Sequence, residues 1–333
     1  MTFTRFRHAA VLAAIAVALA ICLAPQASAA TPGQNGLITF YAVTPDEGAQ
    51  LFTVRPNGHD LRQITHSPGE AVNPDWSPDG RKIVYEHEWD TETLCATVDL
   101  VDPDSGNRVS LTSGMGGCEG QPSFTPQGAI VYGHLDLASE DAGIWGMNGN
   151  GGNQHHIISP WPNGAGDTND PNVSPSGQLT FAGTDFSLIG PTDPALGLFG
   201  TDLAGNGFHQ LLPMEVDLAV KHDWAPDGNH IVVTTDANLF DPNTTANIAT
   251  IRPDGSGLHY LTHYQGPDVK ALVGSYSPDG RYIVFRLEDH GLYALMSMRA
   301  DGSHLRTILP FSTFRPRGID WGPRVRASSG DDD

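Results

Sequence analysis

NPDWSPDGRKIVY, residues Asn73–Tyr85, decides the fold, because the chain writes it repeatedly. KHDWAPDGNHIVV (Lys221–Val233) and GSYSPDGRYIVF (Gly274–Phe285) are close copies. QPSFTPQGAIVY (Gln121–Tyr132) and DPNVSPSGQLTF (Asp170–Phe181) are weaker ones, and Asp320-Trp321-Gly322-Pro323 is a truncated sixth. The anchor residues are Trp76, Phe124, Val173, Trp224, Tyr276 and Trp321, spaced by 48, 49, 51, 52 and 45 positions. A period near 50 that carries several short strands is one blade of a β-propeller.

Each unit keeps one order. A short segment leads into the anchor. A Ser-Pro-Asp-Gly type turn follows, in which proline sets φ and glycine permits φ > 0. A β-branched and aromatic strand comes next, then a second strand, then a polar glycine turn such as Asn57-Gly58, Asp254-Gly255 or Asp301-Gly302. The last strand often ends in Leu-Thr, as at Leu111-Thr112 and Leu261-Thr262. No sustained helical period interrupts this pattern.

The WSPDG-centred repeat, with its Asp-Gly turn and Leu-Thr strand, resembles the TolB propeller repeat over roughly residues 37–323. The resemblance implies an all-β, six-bladed propeller of four-stranded antiparallel blades. It also implies a binding role toward envelope proteins. The additional N-terminal domain of TolB has no counterpart, since residues 30–36 are too few to form it, so the resemblance reaches the propeller alone.

The ends predict how the ring closes. Leu37–Val43 matches the strand after the Ser-Pro-Asp-Gly turn, whereas residues 320–323 match the strand before it. The C-terminal segment is therefore expected to supply the inner strand of the first blade, which leaves the ring no open edge.

The first residues read as a cleaved signal peptide, residues 1–29. Arg5 and Arg7 precede the apolar run Ala9–Ala24, and Ala27-Ser28-Ala29 offers a small-x-small cleavage site. The propeller is expected over residues 30–324, and a disordered tail over residues 325–333. The expected location is secreted, periplasmic or extracellular. There, the two cysteines beyond the leader, Cys95 and Cys118, pair as a disulfide. The formal net charge of −20 excludes binding to nucleic acid or an anionic membrane through a basic patch.

Strand order puts the Ser-Pro-Asp-Gly and Asp-Gly turns on one face, the bottom. The irregular connections, Ser159–Asn169 and Gly183–Gly197 among them, fall at the top, where a scaffold places its working residues. Six positions before each anchor, at the expected top mouth of the channel, stand Glu70, Cys118, Asp167, Leu218, Lys270 and Arg315. Glu119, Lys221, His222 and Arg317 lie nearby. Acidic groups fall on blades two to four and basic ones on blades five, six and one, a division able to orient a charged ligand. The loop aromatics Trp89 and Trp161 are further ligand candidates. The expected partner is an envelope or extracellular protein, peptide or glycan, bound by a monomer with no membrane span.

His87 and His134 offer the enzymatic alternative, a metal-assisted polysaccharide lyase or hydrolase on a propeller scaffold. They share one repeat position and could hold a divalent metal, as histidines do above the channel of the propeller lyases that act on oligogalacturonate. Only two blades carry the histidine. No Gly-x-Ser-x-Gly or His-Glu-x-x-His motif accompanies it, so no catalytic residue and no required cofactor is assigned. Asp102-Pro103-Asp104-Ser105-Gly106 is expected to be an ordinary bottom turn rather than a calcium loop. The Asp or Ser before each anchor is expected to cap its own turn.

Overall fold

The computed structural model describes residues 33–66, 68–90, 95–114, 117–136, 141–159, 161, 166–185, 196–216, 218–219, 221–235 and 244–325. The leader, the C-terminal tail and much of the long top connections lie outside them. Six four-stranded antiparallel sheets form the chain, one per repeat. The inner strands of blades two to six are Glu70–Trp76, Cys118–Phe124, Gly166–Val173, His222–Trp224 and Val269–Tyr276. A single 3-10 turn, Met214–Val216, is the helical element among the described residues. No helix among them is long and apolar enough to cross a membrane.

The first blade closes as the repeat register requires. Its inner strand is Arg317–Pro323, which pairs antiparallel with Asn35–Thr44, so that Trp321 faces Ile38. Gly48–Val54 and Arg62–Gln63 complete the sheet.

The core is divided among the seams between blades. Each of six apolar clusters joins residues of two neighbouring sheets. Leu51 of blade one meets Tyr85 of blade two, Val98 meets Tyr132 of blade three, and Ile144 meets Phe181 of blade four. Leu198 then meets Trp224 of blade five, Ile248 meets Phe285 of blade six, and Leu295 meets Phe40 back on blade one. An open row of six blades would have five such seams; the sixth exists because the termini share a sheet. Each second strand is covered on both faces, which is why Ile83-Val84-Tyr85 is apolar without alternation and fully buried.

The recurring motifs each discharge a backbone obligation. In Ser77–Gly80 the Gly80 amide donates to the Ser77 carbonyl at 2.8 Å, with Gly80 at φ 71°. The Ser77 hydroxyl donates to Asp79 at 2.7 Å and accepts the Lys82 amide at 2.9 Å. The threonine of Leu-Thr, or of Ile64-Thr65 in the first blade, stands where the outer strand ends. Its hydroxyl accepts the amide of the third strand in the same way in three blades: Leu51 to Thr65, Val98 to Thr112 and Ile248 to Thr262, each 2.9 Å. Without that oxygen a buried amide would lose its partner.

Asp102 accepts the amides of Asp104 and Ser105 and pairs with Lys82 at 2.9 Å, which holds its carboxyl down at about 2. The segment is a turn whose leading carboxylate is already engaged.

Candidate binding site in the central channel

Two belts of inter-blade hydrogen bonds build the channel wall. In the lower belt, the residue before each anchor reaches across a seam. Asp320 accepts the Trp76 amide at 2.9 Å, Asp75 that of Phe124 at 2.7 Å, Asp223 that of Tyr276 at 2.7 Å, and Ser275 that of Trp321 at 2.7 Å. These side chains were expected to cap their own turns. They instead staple each blade to the next, because the inner strands converge on the axis and bring the neighbour's amide nearest.

The upper belt is set three residues before the anchors. Asn73, Gln121, Asp170 and Gly318 hold this position with φ near +50°, and a register shift interrupts the pairing there. Such a bulge re-aims a side chain. Positive φ is tolerated by Asn, Asp and Gly and is strained for Gln121. Glu86 accepts the Gln121 amide at 2.8 Å, Gln121 accepts that of Asp170, Asp170 that of His222 at 2.9 Å, and Thr234 that of Val273 at 2.8 Å.

All six positions of this register, Asn73, Gln121, Asp170, Lys221, Val273 and Gly318, line one cavity of about 450 Å³. Tyr41, Arg286, Arg315 and Arg317 complete its charged and aromatic wall. Beneath lies a smaller cavity of about 80 Å³, ringed by the anchors and by Asp75, Asp223 and Asp320. Lys221 belongs to the upper cavity, yet its charge answers the carboxylates of the lower.

Burial pushes Asp75 well above the ordinary carboxylate range, with the nearby Asp320 adding to the effect and Lys221 opposing it. Burial raises Asp320 as well, and Asp223 up to about 7. Burial disfavours the Lys221 cation, but Asp170, 3.7 Å away, and the three lower carboxylates outweigh that and hold it protonated. For Asp170, burial is overcome by Lys221 and His222, which keep it ionised.

Of the residues expected at the mouth, Lys221, Arg315 and Arg317 line this cavity. Glu119 is buried, 3.2 Å from His134, and both line a separate cavity of about 340 Å³ beside the Cys95–Cys118 disulfide. His222 is buried against Asp170 and the Thr180 hydroxyl. Asp167 is exposed and accepts the Thr184 amide at 2.7 Å. Glu70 pairs in register with Glu88, whose carboxyl burial and the charges of Glu86 and Glu70 raise to about 7. Lys270 bridges to Ala246 at the start of its blade's inner strand.

Trp161 is not presented to a ligand. Its ring packs edge-on against Phe181, Phe199 and Phe208, and its indole N–H donates to the Asp167 carbonyl at 2.7 Å. The Trp89 side chain lies outside the described residues.

His87 and His134 are buried rather than open at the top face. His87 Nε2 lies 3.0 Å from the Pro68 carbonyl and 3.2 Å from the Arg108 guanidinium, a cation where a metal would need to approach. Among the described residues, no group of three His, Cys, Asp or Glu side chains converges as metal ligands do.

The channel-lining register lies three positions before the anchors, not at the six-before positions expected from the sequence. The available signal was that Asn73, Gln121, Asp170 and Gly318, at that register, include the residue types that accept positive φ.

No protein-family model matches the chain. A stretch of 37 residues is 57% identical to the Tol-Pal system protein TolB of Nitratidesulfovibrio vulgaris, covering 11% of this chain and 8% of that protein. Among solved structures, TolB from Acinetobacter baumannii superposes with TM-score 0.66 at 18% identity, over 97% of this chain and 74% of that one. The fold is the TolB propeller. The putative TolB from Agrobacterium tumefaciens gives TM-score 0.60 at 16% identity, over 87% of this chain and 99% of that one. A chain of a nidogen/laminin complex gives 0.61 at 12% identity, over 85% and 97%. At these identities the likeness speaks for the fold alone.

Proposed function

We propose that the protein is a secreted or periplasmic, non-catalytic binding propeller that receives a protein or peptide partner at the top of its channel. The observation that carries this reading is the upper cavity. Six equivalent positions line it with Asn, Gln, Asp, Lys, Val and Gly. The bottom turns, by contrast, repeat one design from blade to blade. A repeat protein varies equivalent positions where its surface is put to use. The leader-like N-terminus and the Cys95–Cys118 bridge support an oxidising compartment. The TolB and nidogen/laminin neighbours support a protein partner, and the acidity of the chain disfavours nucleic acid.

The test is capture from envelope extract on the immobilised full chain. Capture is expected to fail for Asp167→Lys with Lys270→Glu at the top, and to persist for Asp254→Lys with Asp301→Lys at the bottom. The opposite pattern, or no specific capture by the wild type, sinks the proposal.

A further inference from the structure

Cations are scarce in this chain, 18 Lys and Arg against 38 Asp and Glu. Three of them nevertheless share one wall of the upper cavity: Arg286, Arg315 and Arg317. Among the described residues Glu288 is the acid that pairs with them, and a single oxygen of it receives both Arg286 at 2.7 Å and Arg315 at 2.9 Å. Arg286 also donates to the Pro316 carbonyl at 2.8 Å, and Arg315 lies over the Tyr293 ring at 4.9 Å. The Nε–H groups of Arg286 and Arg315 are buried without a hydrogen-bond partner among the described residues. A buried donor left unsatisfied is costly, and more so on a charged group.

We propose that this three-arginine wall binds a carboxylate of the partner that enters the channel. The assignment rests on the top-face reading above and names the chemistry recognised there. Guanidinium groups present N–H pairs that match the two oxygens of a carboxylate. After Glu288 the wall retains two positive charges, and the opposite wall carries Asp170, so a singly charged anion fits better than a doubly charged phosphate. Burial and the neighbouring Arg315 and Arg317 pull Arg286 down to about 10, against the opposing pull of Glu288; a bound anion relieves that repulsion. The lysine side of the cavity cannot compete for the anion, since Lys221 is already paired with the ionised Asp170.

The test is an NMR titration of the full chain at low salt with four probes: succinate, N-acetyl-Gly-Asp-Gly-amide, N-acetyl-Gly-Asn-Gly-amide and N-acetyl-Gly-Gly-Gly as the free acid. At least one carboxylate probe is expected to saturate, with shifts centred on the cavity, while the Asn peptide does not. Which one binds tightest identifies the source as a side chain, a chain terminus or a free acid. Affinity should fall at least about tenfold in Arg315→Gln/Arg317→Gln and hold in Arg62→Gln, whose side chain pairs with Asp104 at a bottom turn. Arg286→Lys keeps the charge and should weaken binding through loss of the planar fork. Absence of saturation by every carboxylate probe, equal response to the Asn peptide, or unchanged affinity in the double variant overturns the assignment. Envelope capture that survives the double variant discards the carboxylate pocket and leaves the top-face reading standing; failure of the rim variants to affect capture removes that reading independently.

Discussion

Gly322→Ala tests ring closure at its tightest point. A Cβ on Gly322 would press against Cγ, Cδ1 and Cδ2 of the Trp76 ring, closer than real side-chain carbons approach. The indole has nowhere to retreat, since it is buried at the seam of blades one and two with Leu51, Ile83 and Tyr85. Overpacking of this kind costs about 1–3 kcal/mol. The other escape is for Arg317–Pro323 to draw away from Asn35–Thr44, which exposes Trp321 and forfeits a comparable burial term of about 1.5–3 kcal/mol. Either route gives a loss of about 1–3 kcal/mol. With a urea slope of about 3 kcal/mol/M, the unfolding midpoint drops by up to roughly 1 M. Gly36→Ala probes the pairing of the two ends within blade one, where the new carbon would stand 2.5 Å from the Pro323 carbonyl oxygen. Gly133→Ala is the control, because its Cβ would meet nothing nearer than 3.5 Å. In a Trp76→Leu background, Gly322→Ala should cost less, which a double-mutant cycle reads as a coupling between the two sites. A Gly322→Ala midpoint equal to that of Gly133→Ala would refute the claim that the two ends share a packed blade.

Deleting residues 315–333 removes the inner strand of blade one and strips Asn35–Thr44 of a partner; the shortened chain should melt well below the parent or self-associate, and an unchanged melting temperature contradicts closure. Asp223 holds a proton in the folded state up to about pH 7, whereas an unfolded aspartate releases it near 4. Stability is therefore full below the lower value and declines as pH rises between them, by at most about 1.4 kcal/mol per pH unit for that proton. Asp223→Asn, which keeps an oxygen for the Tyr276 amide, should flatten the decline, and an equal slope in variant and parent speaks against the assignment. Reducing Cys95–Cys118, which are 23 residues apart, should cost about 3 kcal/mol in urea unfolding; identical oxidised and reduced curves would show that the bridge constrains nothing.

The fold was legible because its signals are local and repeated. A Ser-Pro-Asp-Gly turn, a doubly buried strand and a Leu-Thr cap recur with fixed chemistry, and six copies at one period leave a propeller as the arrangement that buries them all. Even the shared blade followed from register, since the first copy lacks its beginning and the last its end. The channel was less legible. Counting back from the anchor assumes an unbroken strand, and the bulges at Asn73, Gln121 and Asp170 break it. The role of Asp75 was hidden for a different reason: its partner, the Phe124 amide, is 49 residues away. Trp161 looked like a loop aromatic in sequence because nothing local shows that Phe181, Phe199 and Phe208 close around it.

The two belts also separate what the fold requires from what it leaves open. In the upper belt, amides two or three residues before the anchors are received by a glutamate, a glutamine, an aspartate and a threonine. Stapling one blade to the next therefore needs an oxygen at that point and not a particular charge. The charge pattern around the cavity is free of that constraint, and it is uneven. Lys221 is neutralised from below and from Asp170, so its burial is compensated within the protein. The arginines of blades six and one are compensated only in part, with two buried guanidinium N–H groups unanswered. These arginines tie the seam between those blades, through Arg286 to the Pro316 carbonyl and Arg315 to Glu288, yet these contacts leave the cluster short of negative charge. A surplus of buried positive charge that the protein's own groups do not fully balance would be stabilised by a carboxylate arriving from outside, as proposed above for that side of the channel.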